Sequence, residues 1–405
     1  MGSKTQHKTA NNPVYFGALD GFRGLLAIMI AIYHTMWLSH FNASDLFTNG
    51  PVLVDMFFVF SGFLMFTLYD GKISSGEHAK KFMKRRIARI YPLHFFMLMV
   101  AVLYAFARII AHYVGIATFT EGEILPFQQG AAETIWSFLS NLTMTHSMGL
   151  HDSLSYNMPS WTVSVEFWAY FVFIGMMMFL RPKKLWHFMV IAALIGVNYW
   201  VLSRLKPDMD FHYDLGFWRC LGGFYTGVIA AYGYRCIKPY VDKLKQNVAD
   251  KPFLWGATVF EAIVLSIMTC FVIFFPGKAQ FFIAPVALIF VLGFAFDIGL
   301  ISRIMSTRPM RYIAKISYSI YMVHVLISII FAVFAEKALP VLLGPLWNAT
   351  LYPGDLLLIP YLMIVLISAH FTYHFVEVPG SKAIQKYDFS AKFRKYFGRP
   401  AISKA

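Results

Sequence analysis

Ten long apolar segments, separated by short basic loops, constrain the fold of this chain more than any other feature of its sequence. Hydrophobic residues make up 58% of the 405 residues and charged residues only 14%, whereas an ordinary soluble domain is about 25% charged. A helix needs about 20 consecutive apolar residues to cross a bilayer. We therefore predict an all-α polytopic membrane protein with about ten transmembrane helices. The predicted spans are 17–39, 52–69, 91–114, 161–180, 185–203, 215–234, 253–275, 280–298, 313–335 and 356–377.

The basic residues are distributed unevenly between the two sides of these spans. Of the 35 lysines and arginines, 28 fall on the side that holds both chain ends and four on the other side. Short cytoplasmic loops are enriched in such residues. We expect a cytoplasmic tail at 1–16, a transmembrane core at 17–377 and a basic cytoplasmic tail at 378–405. The net charge of +14 thus reflects topology, and we expect contact with membrane lipids and no nucleic-acid partner.

The longest predicted external segment covers residues 115–160 and contains no lysine or arginine. It includes Glu121, Glu123 and Glu133 together with His146 and His151. Loops of this length usually carry a function or a structure of their own. We expect part of this segment to fold back into the protein.

Arg23 and His34 lie on the first apolar segment, eleven residues apart. Three helical turns separate them, so both face one side of a helix, roughly 16 Å apart along its axis. Ionisable groups at membrane depth are costly and often functional. The pair suggests a site for a long anionic ligand with a reactive end near His34.

Asp55 and Glu166 should reach about the same depth as His34, given the directions of their spans. A carboxylate beside an imidazole orients the ring and raises its basicity. His34 would then act as a general base or a nucleophile. The alternative is a buried histidine that only packs and forms hydrogen bonds.

The basic stretch from Lys80 to Arg89 precedes the third span, and Pro92 suits the first turn of that span. Arg86 and Arg89 share a helix face and are candidates for phosphate contacts, since a guanidinium binds phosphate oxygens in pairs. Lipid headgroup binding and topology are the competing explanations.

Several other residues inside the spans allow two interpretations, a role in helix packing or a role in ligand binding. Ser61 and Gly62 favour a close helix contact or, second, approach of a ligand. Tyr321 and His324 either pack against a neighbouring helix or line a tunnel. Arg219 is expected to extend toward the membrane surface.

The residues His370, His374 and Glu377 resemble a metal-ligand spacing only weakly. They are predicted to lie at the inner end of the last span. We expect no metal site.

Five stretches in this order are similar to those of acyltransferase family 3, the bacterial membrane O-acyltransferases: LDGFRG, VDMFFVFSGFL, RRIARIYP, SWTVSVEFW and ISYSIYMVH. They extend from residue 19 to residue 324. The resemblance implies a ten-helix core in the bacterial cytoplasmic (inner) membrane. It also implies transfer of an acyl group, usually acetyl from acetyl-CoA, to an extracytoplasmic glycan or another hydroxyl acceptor.

The resemblance implies that His34 is catalytic and that Arg23, Arg86 and Arg89 bind the acyl-CoA donor. Asp55 and Glu166 match motif positions and are placed with the catalytic group, while Ser61, Tyr321 and His324 are placed with the donor site.

Two other classes of function stay open. One is a transporter or flippase for a lipid-linked or anionic sugar, and the other is a non-catalytic subunit of an envelope polysaccharide complex. Polysaccharide-export partners and self-association are open as well.

Overall fold

The computed structural model describes residues 15–115, 124–344, 347 and 350–387, and every regular element within those ranges is helical. The predicted all-α class is therefore confirmed. Glu121 and Glu123, and most of the two predicted tails, lie outside the described residues. The cytoplasmic placement of both chain ends stays a prediction.

Ten long helices correspond to the ten predicted spans. They are α1 (Gly17–Tyr33), α2 (Val54–Tyr69), α3 (Gly76–Tyr113), α4 (Trp161–Gly175), α5 (Leu185–Leu205), α6 (Gly216–Asn247), α7 (Asp250–Phe274), α8 (Ile283–Phe294), α9 (Arg308–Lys337) and α10 (Tyr352–Thr372). Shorter helices cover Asp45–Thr48, Ile135–Leu142, Leu300–Met305, Leu339–Leu343 and Val378–Lys386.

Eight of the ten long helices, with the helical turns that extend some of them, are long and apolar enough to cross a membrane. The other two are α1, with 17 residues, and α6. A total of ten crossings therefore stays a prediction. The multi-pass character of the chain does not depend on those two helices.

Glycines allow the central helices to approach closely. A Cβ atom at Gly24 of α1 would lie 2.7 Å from the backbone nitrogen of Ala314 in α9. A Cβ atom at Gly62 of α2 would overlap the carbonyl oxygen of Phe224 in α6. The predicted close helix contact at Gly62 is confirmed, and α1 is held against α9 along its buried face.

The basic stretch forms part of α3 itself. We predicted a span that begins near Pro92, but α3 begins at Gly76, and Pro92 lies inside it. The hydroxyl of Ser75 accepts a hydrogen bond from His78 N and caps the helix start. Lysine and arginine favour helix, so the helix continues through the basic stretch. This extension carries Arg86 and Arg89 into the bundle on a rigid element.

The segment from Ile135 to Ser160, which we call the re-entrant segment, packs back against the bundle as expected. The carbonyl oxygen of Met144 accepts hydrogen bonds from Ser164 Oγ and Trp168 Nε1, both at 2.8 Å, up to two turns inside α4. Asn157 Nδ2 donates to Met322 O in α9 at 3.1 Å. The segment therefore fills space between α3, α4 and α9.

Candidate functional site

Two imidazoles meet where α1 ends. His34 Nδ1 lies 2.9 Å from Ile30 O and 3.2 Å from His324 Nε2, and His324 Nδ1 lies 2.7 Å from Tyr321 O. A carbonyl oxygen can only accept a hydrogen bond, so each neutral ring carries its hydrogen on Nδ1. His324 Nε2 is then the acceptor for His34. His34 Nε2 keeps its lone pair and has no hydrogen-bond partner within the described part of the chain.

Three further hydrogen bonds fix the backbone around this pair. Ser328 Oγ donates to His34 O at 2.6 Å. The hydroxyl of Tyr361, in α10, donates to Ala31 O at 2.9 Å and also lies 3.3 Å from His324 O. These contacts tie the end of α1 to the middle parts of α9 and α10, so the imidazole of His34 sits on a rigid support.

We expected a carboxylate to orient His34, but the residue that contacts its ring is His324. Neither Asp55 nor Glu166 is among the hydrogen-bond partners of His34 in the described residues. His324 occupies the position that we predicted for a carboxylate. It supplies a hydrogen-bond acceptor that orients the ring without adding a negative charge.

Asp55 instead forms a buried ion pair with Arg219. The shortest contact, from Nη2 to Oδ2, is 2.7 Å, and both side chains are fully inaccessible to solvent. Arg219 also donates to Met209 O at 2.6 Å and to Pro51 O at 2.7 Å. The expectation that Arg219 extends to the membrane surface is wrong, because a carboxylate and backbone carbonyls satisfy its guanidinium inside the protein.

Six of the predicted site residues line one cavity of about 160 Å³ between α1, α2, α3, α4 and α9. They are Arg23, Ser61, Arg86, Arg89, Glu166 and Tyr321. We call this cavity the basic pocket. His34, Asp55 and His324 do not line it.

The three arginines of the basic pocket differ in how their charges are compensated. Arg23 pairs with Asp20, and Arg89 pairs with Glu377. Arg86 forms no ion pair with a described residue, and its buried Nε has no hydrogen-bond partner there. Its guanidinium lies 5.7 Å from the ring centre of Phe82. Arg86 is therefore the arginine best able to bind an added anion.

Glu166 is held at the wall of the basic pocket by two hydroxyl groups. Ser61 Oγ donates to its Oε1 at 2.5 Å and Tyr170 OH donates to the same oxygen at 2.6 Å. Charge-assisted hydrogen bonds of this kind are short and strong. They keep the carboxylate in a defined position among the arginines.

Tyr321 joins the basic pocket to the imidazole pair. Its ring lines the pocket, and the ring centre lies 5.6 Å from that of His324. The His324 ring in turn lies 4.9 Å from that of His34. One aromatic side chain therefore separates the arginine-lined space from the pair.

Two residues of this site escaped the sequence analysis. Tyr170 follows Glu166 by four residues, so the helical repeat alone places both on one face of α4. Glu377, which we considered only as a metal ligand, is buried and accepts from Ser319 at 3.0 Å as well as from Arg89. It lies in a π-helical turn, Tyr373–Glu377, where the 3.6-residue repeat does not predict which side of the helix a residue faces.

Two of the three residues whose spacing weakly resembles a metal site have other partners. His370 contacts Tyr312, and Glu377 contacts Arg89. The described residues contain no group of three or more potential ligands arranged to hold a metal ion.

Comparison with known proteins places the chain in a family. It is 23% identical over 387 residues to the peptidoglycan O-acetyltransferase OatA of Listeria monocytogenes, which covers 91% of this chain and 56% of that protein. It is also 23% identical over 416 residues to the O-acetyltransferase OatA of Staphylococcus aureus, covering 96% and 61% respectively. The chain thus spans less than two thirds of the length of these relatives. No solved structure matches it. The family described as "Acyltransferase domain" matches residues 16–369, nearly the whole helical core, and the chain belongs to that family.

Proposed function

We propose that this protein is a membrane O-acetyltransferase that moves an acetyl group from acetyl-CoA to a hydroxyl of an extracytoplasmic envelope glycan. One observation carries the proposal: the arginine-lined pocket borders Tyr321, the Tyr321 ring lies next to His324, and His324 contacts His34, whose Nε2 is free to accept a proton. The activities named for the relatives, peptidoglycan O-acetyltransferase and O-acetyltransferase, support the reaction and the acceptor class.

The donor would bind with its phosphates at the arginines of the basic pocket. Arg86 has an uncompensated charge there, while Arg23 and Arg89 contribute through pairs that are already formed. We take these arginines to lie toward the cytoplasm, as the positive-inside distribution predicts. The rise of roughly 16 Å from Arg23 to His34 is of the same order as the pantetheine arm. The arm is therefore long enough for the thioester to reach the depth of His34 while the nucleotide stays at the arginines.

The chemistry then follows from the protonation state of the histidine pair. His34 Nε2 takes the proton of the acceptor hydroxyl as its oxygen attacks the thioester carbonyl carbon. The carbon–sulfur bond breaks, and the CoA thiolate takes the proton back from His34. His324 accepts the hydrogen bond of His34 Nδ1 throughout and favours the tautomer that the step requires. The products are an acetyl ester and CoA with a free thiol.

The test is the turnover of purified His34→Ala protein in lipid nanodiscs, with acetyl-CoA and alkali-treated envelope glycan as substrates. General-base catalysis typically contributes about 10²–10⁴-fold, so kcat should fall by at least about 100-fold. CoA affinity and the unfolding temperature should stay at wild-type values. His40→Ala is the matched control, since His40 is exposed and contacts Asp355 away from the pocket.

His324 acts through His34 and is a positioning residue. His324→Ala should lower kcat with little change in the KM for acetyl-CoA, and His324→Gln should recover part of the rate because its amide oxygen can accept from His34. Wild-type turnover by His34→Ala contradicts the catalytic assignment. Failure of the wild-type protein to release CoA from acetyl-CoA favours a transporter or a non-catalytic subunit.

A further inference from the structure

A second polar cluster lies in the re-entrant segment and on the face of α3 that it covers. It consists of His94, Asn141, His146 and Ser147, which we call the roof cluster. All four residues are at least 97% buried. Four of their side-chain atoms, His94 Nδ1, Asn141 Oδ1, His146 Nδ1 and Ser147 Oγ, have no hydrogen-bond partner among the described residues. Buried polar atoms are normally paired, so four unpaired atoms, three in the re-entrant segment and one on α3, indicate a ligand with hydrogen-bonding groups.

The contacts of the cluster define what that ligand can be. His94 Nε2 donates to Asn141 O at 2.8 Å, so its Nδ1 can only accept. The rings of His94 and His146 stack in parallel with centres 5.7 Å apart, and His146 Nε2 bonds Ser160 Oγ at 3.1 Å. Asn141 Oδ1 also accepts only. Two of the free atoms can only accept and Ser147 Oγ can donate or accept, so the cluster favours a ligand with O–H groups and disfavours an anion.

The roof cluster adjoins the basic pocket on the side away from the basic stretch of α3. His94 follows the pocket-lining Ile90 by four residues, about one turn farther along α3. Ser160, which bonds His146, precedes the pocket-lining Thr162 by two residues.

We propose that the roof cluster is an acceptor subsite, which binds hydroxyl groups of an uncharged, hydroxyl-rich stretch of the glycan. The proposal rests on the proposed function, since it names the part of the protein that holds the substrate to be acetylated. The cluster would bind glycan hydroxyls next to the one that reacts at His34.

Ser147→Ala gives a sharp test, because the hydroxyl it removes has no protein partner. If Ser147 has only a structural role, the substitution leaves stability unchanged or raises it, since it deletes an unsatisfied buried group. If Ser147 binds the acceptor, the KM for alkali-treated envelope glycan rises about threefold to tenfold, the value of one hydrogen bond. The KM for acetyl-CoA stays the same. Ser203→Ala is the matched control, since that hydroxyl bonds Trp200 O on exposed α5.

His94→Gln is the second variant. A glutamine amide can still donate to Asn141 O, but its acceptor oxygen sits on the same carbon as the donating nitrogen and not at the position of Nδ1, so the KM for the glycan should rise by a similar factor. Unchanged acceptor KM values in both variants would mean that the cluster binds only water, and would overturn the proposal. That outcome is distinct from failure of the proposed function, which is read from His34→Ala and from CoA release by the wild-type protein.

Discussion

The Asp55–Arg219 pair and the basic pocket differ in how far the protein itself satisfies the hydrogen-bonding groups of their arginines. In the Asp55–Arg219 pair, both side chains are inaccessible, and the guanidinium donates to a carboxylate and to backbone carbonyls. In the basic pocket, Arg86 lines a cavity, forms no ion pair within the described residues and has an unpartnered Nε. Both centres combine arginine with a carboxylate inside the helical bundle.

This difference distinguishes charged residues that stabilise the fold from charged residues that can bind a ligand. A buried charge whose hydrogen bonds are all made by the protein has nothing left to offer a ligand, and losing its partner is costly. A charge beside a cavity with unused donors can bind an anion and be replaced at little cost in stability. On this view Asp55, which the sequence placed with the catalytic group, belongs to the scaffold.

The largest effect should come from Asp55→Ala. It leaves the Arg219 guanidinium buried without its carboxylate, which costs about 3–5 kcal/mol. We expect a marked fall in the unfolding temperature, measured by thermal denaturation in detergent. Glu166→Gln is the comparison, since Glu166 lines the pocket and an amide oxygen can still accept from Ser61 and Tyr170; its unfolding temperature should change little. An Asp55→Ala protein as stable as wild type but inactive would restore the catalytic assignment.

The sequence predicted the parts of this contrast that depend on local spacing. Apolar runs located the helices, and the helical repeat together with the rarity of charge at membrane depth singled out Arg23 and His34. The grouping of Arg23, Ser61 and Arg86 at one site came from the family resemblance and not from spacing.

Partners that come from distant helices could not be predicted in this way. Arg219 and Asp55 are 164 residues apart, and His324 is 290 residues from His34. Which of two buried charges faces the other depends on how each helix is rotated about its axis, and packing of side chains decides that rotation. The start of α3 was predicted wrongly at Pro92 for a related reason, because the helical stretch before it also contacts distant parts of the chain, such as Lys84 Nζ donating to Gln385 O at 2.7 Å.

Arg86→Gln should have the next largest effect, on donor binding and not on stability. A hydrogen bond to a charged group contributes about 1.5–3 kcal/mol, so the Kd for CoA should rise about 10- to 100-fold. Arg23→Gln should raise it less than about tenfold, because Asp20 already compensates the Arg23 charge. Titration calorimetry in nanodiscs gives both values. An equal increase in the Kd for CoA in the two variants would show that an existing ion pair does not weaken an arginine's contribution to donor binding. The proposed difference between Arg86 and Arg23 would then be wrong.

Ser61→Ala should have the smallest effect and tests how firmly the pocket holds its carboxylate. It removes one of two hydroxyl donors to Glu166, and the other, from Tyr170 at 2.6 Å, stays in place. One hydrogen bond contributes about 0.5–1.5 kcal/mol, so kcat/KM for acetyl-CoA should fall less than about 15-fold. Tyr170→Phe should give a similar loss, and the double variant a larger one, because Glu166 then has no hydroxyl donor and can turn toward the arginines. If the double variant is no worse than either single one, Glu166 is positioned by the arginines alone, and the two hydroxyls only fill the wall of the pocket.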